Sequence, residues 1–139
     1  METFKLMHSL DEKGVEQLWQ LFQEEWWTQG RTLAETSAML RHSDEVFALM
    51  DNGEMLAGFA RVITDYVFKA LVLDIIIADA HRGRGLGRVL IQAVMDHPAL
   101  AGVNHFELYC LPEMMPLYEK WGFTSDLGAL QFMRREKTR

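Results

Sequence analysis

Residues 75–88 read IIIADAHRGRGLGR, and this stretch decides how the rest of the chain is interpreted. An apolar strand runs into a glycine-rich turn, and a helix with one apolar face follows at once. Gly83, Gly85 and Gly87 permit left-handed backbone angles and close approach of a ligand to the backbone. Such a turn leaves backbone N–H groups at the positive end of a helix, where an anion is favoured. The stretch therefore predicts an anion-binding loop.

The charges around the glycines favour a phosphate-bearing ligand. Arg82, Arg84 and Arg88 can add charge-assisted hydrogen bonds to phosphate oxygens. A P-loop is excluded because its Lys-Ser/Thr pair is missing, and the dinucleotide fingerprint is excluded because Arg88 stands where it requires glycine. The ligand is thus predicted to be a small polyanion bound in another way.

Patterns on both sides of the loop predict a mixed sheet with helices on both faces. Two capping boxes, Ser9–Glu12 and Thr32–Glu35, predict the starts of the first two helices. Two further helices are predicted, one from Leu86 to His97 and one over Met114–Trp121. The predicted strands are Phe4–His8, Val46–Met50, Met55–Thr64, Phe68–Ala78, Phe106–Leu111 and a final part from Phe123 onward that includes Leu130–Arg134. A turn over residues 51–53 is expected to join the second and third strands.

The composition narrows the class of protein. The chain has 139 residues with a net charge of −6, which argues against nucleic-acid binding as its main role. No apolar stretch is long enough to span a membrane, and the N-terminus lacks a secretory signal pattern, so a cytoplasmic location is expected. Cys110 is the single cysteine and is expected to be a buried hydrophobe. The five histidines show no ligand spacing, and no metal is predicted.

A second motif lies about thirty residues after the loop, where residues 117–123 read LYEKWGF. Together with the glycine motif of residues 82–87, RGRGLG, it resembles the GNAT acetyltransferase superfamily over essentially the full chain. The resemblance implies one α/β (α+β) domain over residues 1–139. Its expected core is a mixed, largely antiparallel sheet of six to seven strands, flanked by about four helices.

The resemblance also implies a binding mode for acetyl-coenzyme A. The backbone of Ile75, Ile76 and Ile77 would pair with the pantetheine arm in a gap beside the central strand. The pyrophosphate would lie on the loop, whose residues are Arg82, Gly83, Arg84, Gly85, Leu86, Gly87 and Arg88. Tyr118 matches the general acid that protonates the departing thiolate, and a phenol is protonated at neutral pH.

The remaining site residues are candidates with open alternatives. Asp74 is the first candidate for the general base, because a carboxylate in an apolar strand demands a reason and burial would raise its pKa. Glu107 is the second, and either residue can instead be an ion-pair partner. For the acceptor, Trp26 and Trp27 would form an aromatic wall, or they would simply cap the core, and at least one of them is expected to lie in the core because the two face opposite ways. Arg31 would bind an acidic group, and Asp65 would hold an amine.

The predicted function is acetyl transfer to a primary amine by direct attack in a ternary complex. The acceptor would be a small molecule or a peptide, and a homodimer is a candidate assembly because relatives commonly form one. The alternative is a non-catalytic module that binds acyl-coenzyme A and regulates a partner protein.

Overall fold

The computed structural model describes residues 3–52 and 54–137, which divide into two compact units. The first unit ends at Leu108 and the second begins at Tyr109. The elements of the first unit are β1 (Lys5–Met7), α1 (Glu12–Gln23), α2 (Leu33–Arg41), β2 (Glu45–Met50), β3 (Leu56–Thr64), β4 (Lys69–Ile77), α3 (Leu86–Asp96) and β5 (His105–Glu107). The second unit contains the short helix α4 (Met115–Glu119). That residues 1–139 form a single domain stays a prediction.

The five strands form one sheet in the order β1-β2-β3-β4-β5. Neighbours from β1 to β4 are antiparallel, whereas β4 and β5 are parallel. The predicted mixed, largely antiparallel sheet with four helices is confirmed, but its strand count of six to seven is too high. Residues 123–137 contain no strand, because the apolar pattern of Leu130–Arg134 finds no partner strand within the described residues.

Helices cover both faces of the sheet and create two apolar layers. α1 and α2 cover one face, where Leu18 and Phe22 pack on Phe59 and Ile76. α3 covers the other face. Its buried residues recur at helical spacing, which explains both the amphipathic pattern of the sequence and the position of the helix. β4 lies between β3 and β5 and carries the glycine loop at its end.

The starts of α1 and α2 test the two helix-capping motifs that the sequence predicts. Thr32 and Glu35 form the predicted capping box of α2, with bonds of 3.0 and 2.9 Å. The box predicted at Ser9 is wrong, because α1 begins later and Asp11 caps it by accepting the N–H of Gly14 at 2.8 Å. Of the turn predicted over residues 51–53, Gly53 lies outside the described residues. None of the helices in residues 3–52 and 54–137 has the length and apolarity needed to span a bilayer.

Candidate active site

The glycine loop follows β4, and two unusual backbone angles shape it. Gly83 and Gly85 have φ angles of +78° and +75°, which residues with a side chain rarely adopt. A Cβ atom on either glycine would meet no atom within 4 Å, so the backbone angle rather than crowding requires glycine. The loop therefore presents its backbone to open space.

Helix α3 begins directly after this loop without a capping side chain. Gly85 occupies the N-cap position and cannot supply a side-chain acceptor. The first N–H groups of a helix have no partner inside the helix, and here they belong to Leu86, Gly87 and Arg88. Because the helix dipole adds positive potential at the same point, the start of α3 can receive an anion.

Strand β4 separates from β5 before it reaches the loop. In the described part of the chain, the parallel pairing joins only Lys69–Leu71 to His105–Glu107. The rest of β4, up to Ile77, pairs with β3 on one side and, within the described ranges, with no strand on the other. An extended ligand can add to such an edge as a further strand would.

Backbone alternation identifies the residues that face this open edge. The N–H of Ala78 donates to the carbonyl of Ala57 at 2.8 Å, so Ile76, two residues earlier, also directs its backbone groups to β3. Ile75 and Ile77 then direct theirs to the open edge. Their side chains pack in the α3 layer, and the carbonyl of Ile77 accepts a bond from Arg82 Nε at 3.3 Å. The backbone groups left for a ligand at this edge are therefore those of Ile75 and the N–H of Ile77.

The three loop arginines differ in their surroundings. The guanidinium of Arg82 pairs with the carboxylates of Glu25 and Asp79, so its charge is already balanced within the protein. Arg84 and Arg88 are exposed on the surface. Arg82 therefore connects the loop to the segment that follows α1, whereas the other two lie toward solvent.

Asp74 lies in the middle of β4 and binds two arginines. Its carboxylate accepts bonds from Arg31 Nη1 and Nη2 at 2.9 and 3.0 Å and from Arg61 Nε at 2.7 Å. Only 6% of its side chain is exposed. Burial alone raises the pKa of this carboxyl, but the two guanidinium groups outweigh burial and hold the pKa below its usual value. The expectation that burial raises the Asp74 pKa into the range of a useful base is therefore wrong.

A β-bulge explains how Asp74 reaches these arginines. Asp74 has a φ angle of +55°, and the register between β3 and β4 shifts beside it. The extra residue reverses the alternation of side chains, so Val72 before it and Ile75 and Ile77 after it all pack in the α3 layer. The Asp74 carboxylate thus lies with the arginine side chains rather than in that apolar layer.

The segment between α1 and α2 carries two exposed tryptophans. Trp26 is 70% exposed and Trp27 39%, so the prediction that at least one of them lies in the core is wrong. Thr28 is buried instead, and its hydroxyl donates to the carbonyl of Phe22 at 2.8 Å. Both tryptophan rings therefore face solvent, and their role in acceptor binding stays a prediction.

Ion pairs fix this segment at both ends. Glu25, before the tryptophans, pairs with Arg82, and Arg31, after them, pairs with Asp74. The Arg31 guanidinium also lies over the ring of Phe22, 4.6 Å from its centroid. The guanidinium fork predicted to bind an acidic group of the acceptor is thus bound to an acidic group of the protein.

Asp65 lies in the turn between β3 and β4, at the far end of β4 from the glycine loop. Its Oδ1 accepts N–H bonds from Lys69, Val67 and Phe68 at 3.1, 2.9 and 2.8 Å, and these bonds hold the pKa of the carboxyl below its usual value. The two ends of β4 are roughly 25 Å apart at about 3.3 Å per residue. The structure does not bring Asp65 together with the other predicted site residues.

Glu107, the alternative base, is a surface ion-pair partner. Its carboxylate lies 3.1 Å from Lys69 Nζ, and 47% of its side chain is exposed. It stands opposite Leu71, in the last pair of the β4–β5 ladder. A role as base stays a prediction.

In the second unit, Tyr118 is buried on α4. Its ring packs edge-on against Phe123 with centroids 6.1 Å apart. Burial, with a smaller effect from Cys110, raises the pKa of the phenol to about 12. No residue in the described ranges shares a hydrogen bond with the hydroxyl. Cys110 itself is exposed, so its predicted burial is wrong.

Sequence reasoning misses two residues that shape the site. Arg61 is the one charged residue between Leu56 and Thr64, and a charge in an apolar strand is the same signal that singles out Asp74. Aligning the two antiparallel strands would have brought the pair together. Glu25 carries no such signal, because it is one acidic residue in an exposed polar segment.

The model of the Acetyltransferase (GNAT) family matches residues 12–123, a range that contains the glycine loop and Tyr118. The chain belongs to the GNAT family. The resemblance inferred from the two sequence motifs is thereby confirmed.

Curated relatives of this GNAT chain carry N-acetyltransferase names. It is 30% identical over 106 residues to the uncharacterized N-acetyltransferase ycf52 of Porphyra purpurea, covering 74% of this chain and 61% of that protein. It is 33% identical over 104 residues to serotonin N-acetyltransferase 2, chloroplastic, of Oryza sativa subsp. japonica, covering 72% and 52%. The GNAT chain thus spans 52–61% of the length of these two relatives.

Solved structures show the same fold. A Xanthomonas campestris pv. campestris protein assigned to the GNAT family superposes with a TM-score of 0.82 at 31% identity, covering 97% of this chain and 94% of that one. Glucosamine-6-phosphate N-acetyltransferase of Arabidopsis thaliana superposes with a TM-score of 0.75 at 19% identity, covering 97% and 99%. The second likeness concerns the fold alone.

Coenzyme A is the cofactor that the family implies, and the residues present fit it. The loop offers two glycines that open onto free space and an uncapped helix start for phosphate groups. The unpaired edge of β4 offers backbone groups to an extended arm. Within residues 3–52 and 54–137, no cluster of three or more His, Cys, Asp or Glu side chains is arranged to hold a metal.

Proposed function

We propose that this chain is an N-acetyltransferase that moves an acetyl group from acetyl-coenzyme A to a primary amine by direct attack in a ternary complex. The observation that carries the proposal is the uncapped start of α3 beside the open edge of β4, both within one compact unit. Family membership and the names of the relatives support the same activity.

The protein's part in binding follows from its backbone. The N–H groups of Gly85 to Arg88 would hold the pyrophosphate, and the backbone of Ile75 with the N–H of Ile77 would pair with the amides of the pantetheine arm. When bound, the coenzyme supplies the acetyl thioester. Exposed Arg84 and Arg88 would add positive charge at the loop.

Proton transfer needs a donor for the sulfur and a route for the proton of the amine. Tyr118 would donate to the sulfur, since a phenol with a pKa of about 12 keeps its proton throughout the neutral range. Asp74 has too little affinity for a proton to serve as the base, because two guanidinium groups stabilise its ionised form. We assign removal of the ammonium proton to solvent water.

The acceptor proposed is a small-molecule amine or a peptide. Trp26 and Trp27 offer exposed rings on a segment fixed at both ends, and tryptophan binds flat apolar or aromatic groups well. The name of the rice relative, serotonin N-acetyltransferase 2, supports an aromatic amine among the acceptors to be tried.

The test is calorimetric titration with acetyl-coenzyme A, followed by a thiol-release screen across amines, amino acids and peptides. Binding with turnover is expected. Binding without turnover across the panel would favour a non-catalytic module that binds acyl-coenzyme A. No binding would contradict the proposal.

The proton donor is tested with Tyr118→Phe. Because general acid catalysis contributes about a hundredfold or more, kcat is expected to fall by about that factor while affinity for coenzyme A stays unchanged. Phe123→Leu, which alters the packing of the tyrosine ring but keeps its hydroxyl, is the matched control. Full turnover by Tyr118→Phe would remove Tyr118 from this role.

A further inference from the structure

Two arginines share one carboxylate on β4. Arg31 and Arg61 both bond to Asp74, and neither forms an ion pair with any other carboxylate in the described ranges. Two positive charges against one negative charge leave the cluster with a net charge of +1. Buried or half-buried charges are usually balanced, so this surplus requires an explanation.

Hydrogen bonding at Arg61 is also incomplete. Its Nε donates to Asp74 at 2.7 Å, and its Nη1 has only a long contact of 3.5 Å with the hydroxyl of Ser43. Among residues 3–52 and 54–137, none accepts a bond from Nη2. The Arg61 side chain is 14% exposed, and Nη2 is not among the buried unpartnered atoms of the described residues, so this charged donor is open to a ligand from solvent.

The cluster is reachable from solvent, and its position links it to the aromatic surface. Arg31 is 31% exposed and ends the short segment that bears Trp26 and Trp27. Both terminal nitrogens of its guanidinium, Nη1 and Nη2, bond to Asp74, and this bidentate pair fixes the orientation of the group. Arg31 therefore presents a fixed, positively charged group, four residues after Trp27, to molecules that arrive from solvent.

Local charge decides which acceptors suit this place. The chain as a whole carries −6, which attracts cations from a distance. At physiological salt, however, screening acts over about 8 Å, so a bound molecule interacts mainly with the nearby +1 cluster. An amine with no other charge gains nothing there, because its ammonium form is repelled.

We infer that the acceptor carries an anionic group in addition to its amine, a carboxylate or a phosphate, and that Arg61 binds this group while Arg31, held by Asp74, adds its positive charge beside it. The inference rests on the proposed function and narrows its substrate class. Arg61 is then a specificity-determining residue, and the anion completes the hydrogen bonds that Asp74 and Ser43 leave unmade.

The test compares matched amines with and without the anionic group. The pairs are L-tryptophan with tryptamine, L-phenylalanine with 2-phenylethylamine, and O-phosphoethanolamine with ethanolamine. Thiol release gives kcat and KM for each, and calorimetry on the protein saturated with coenzyme A gives the affinity of each acceptor without turnover. The first two pairs test a carboxylate, and the third tests a phosphate.

At least one anionic member is expected to exceed its partner by about tenfold to a hundredfold in kcat/KM, the range of a charge-assisted hydrogen bond. Arg61→Met should remove this preference through KM, with a smaller change in kcat, and Arg61→Lys should restore part of it. Arg41→Met is the matched control, because Arg41 is an exposed arginine on α2 whose side chain, among the described residues, bonds only to Ser37. Retained coenzyme A binding confirms that each variant is folded.

The outcomes separate this inference from the proposed function. Turnover of the uncharged members with equal or higher kcat/KM would overturn the inference and keep the N-acetyltransferase. Selective binding of an anionic member without any turnover would support the anion site and contradict the catalytic proposal. A preference that persists unchanged in Arg61→Met would also overturn the assignment.

Discussion

The two ends of β4 use backbone N–H groups in opposite ways. At the start of β4, three N–H groups converge on one oxygen of Asp65, an anion that the chain supplies itself. At the end of β4, the N–H groups of the first turn of α3 meet glycine, which supplies no acceptor. At the first end the chain supplies the acceptor for its own N–H groups, whereas at the second end these groups are left for solvent or for the anion that we propose.

This difference separates a structural turn from a ligand site. Both ends combine a turn with charged residues, and the sequence alone predicts a binding role for both. The deciding property is whether the chain satisfies its own donors. By that test the turn at Asp65 stabilises the hairpin, and the loop at Gly85 is the one proposed to bind a ligand.

The largest expected effect comes from Gly85→Glu, in the glycine loop at the end of β4. The substitution places a carboxylate at the anion site and forces a side chain into a φ angle of +75°. We expect affinity for coenzyme A to fall at least a hundredfold, about 3 kcal/mol, measured by calorimetric titration. The strain itself should cost about 1–2 kcal/mol of folding stability.

Two alanine variants separate strain from charge. Gly85→Ala has the strain without the carboxylate, and Gly128→Ala places the same strain at a φ of +66° in the second unit. Gly128→Ala should bind coenzyme A normally. Normal binding by Gly85→Glu would show that the start of α3 does not hold the pyrophosphate.

Next in size is Asp74→Asn, in the middle of β4 between the two ends. Removing one member of a buried ion cluster should cost about 3 kcal/mol in the free energy of unfolding, measured with urea. The folded-state pKa of Asp74 is lowered, so its contribution is present above the ordinary pKa of 3.8 and is lost as the pH falls below it. The variant should therefore lose less stability on acidification than the wild type.

The same variant tests the base. If solvent takes the proton, the acidic limb of the kcat/KM profile keeps its pKa in Asp74→Asn. A shifted or missing acidic limb would return the proton-accepting role to Asp74.

The sequence predicts the fold where local patterns are strong. The apolar run of β4, the glycines at 83 and 85 and the capping box at Thr32 each lead to the observed element. Strand prediction fails over residues 123–137, because an alternating apolar pattern does not supply the partner strand that a ladder needs.

The site is less predictable because its chemistry depends on contacts distant in sequence. Asp74 and Arg31 lie forty-three positions apart, and only the bulge at Asp74 brings them together. Their contact reverses the expected direction of the Asp74 pKa shift. The glycine loop is predictable because its residues are contiguous in the sequence. The residues of the ion cluster are not contiguous, so no single motif indicates them.

A smaller effect is expected from Glu25→Gln, which removes one ion-pair partner of Arg82 in the glycine loop. A guanidinium freed from this carboxylate can turn to the pyrophosphate, so coenzyme A should bind more tightly by up to about fivefold, as is typical of a partly exposed ion pair. Raising the salt concentration should reduce the gain. Weaker binding in Glu25→Gln would show that the pair supports the loop as it stands.

The smallest effect on binding is expected from Asp65→Asn, in the turn before β4. The exposed carboxylate loses charge-assisted bonds to three N–H groups, so the melting temperature should fall slightly. Since its pKa is lowered in the folded protein, this contribution is present above the ordinary value of 3.8 and disappears below it. Coenzyme A affinity and acceptor KM should not change, and a raised acceptor KM would place Asp65 in the acceptor site after all.

The central claim, that the backbone at the start of α3 holds the pyrophosphate, is tested most directly by NMR of the ¹⁵N-labelled protein. Amide shifts are recorded on titration with coenzyme A and, separately, with pantetheine, which lacks the pyrophosphate. We predict that the amides of Gly83, Gly85, Leu86 and Gly87 shift strongly with coenzyme A and little with pantetheine, while those of β4 respond to both. Loop amides that stay unmoved by coenzyme A, or that respond equally to both ligands, would contradict the claim.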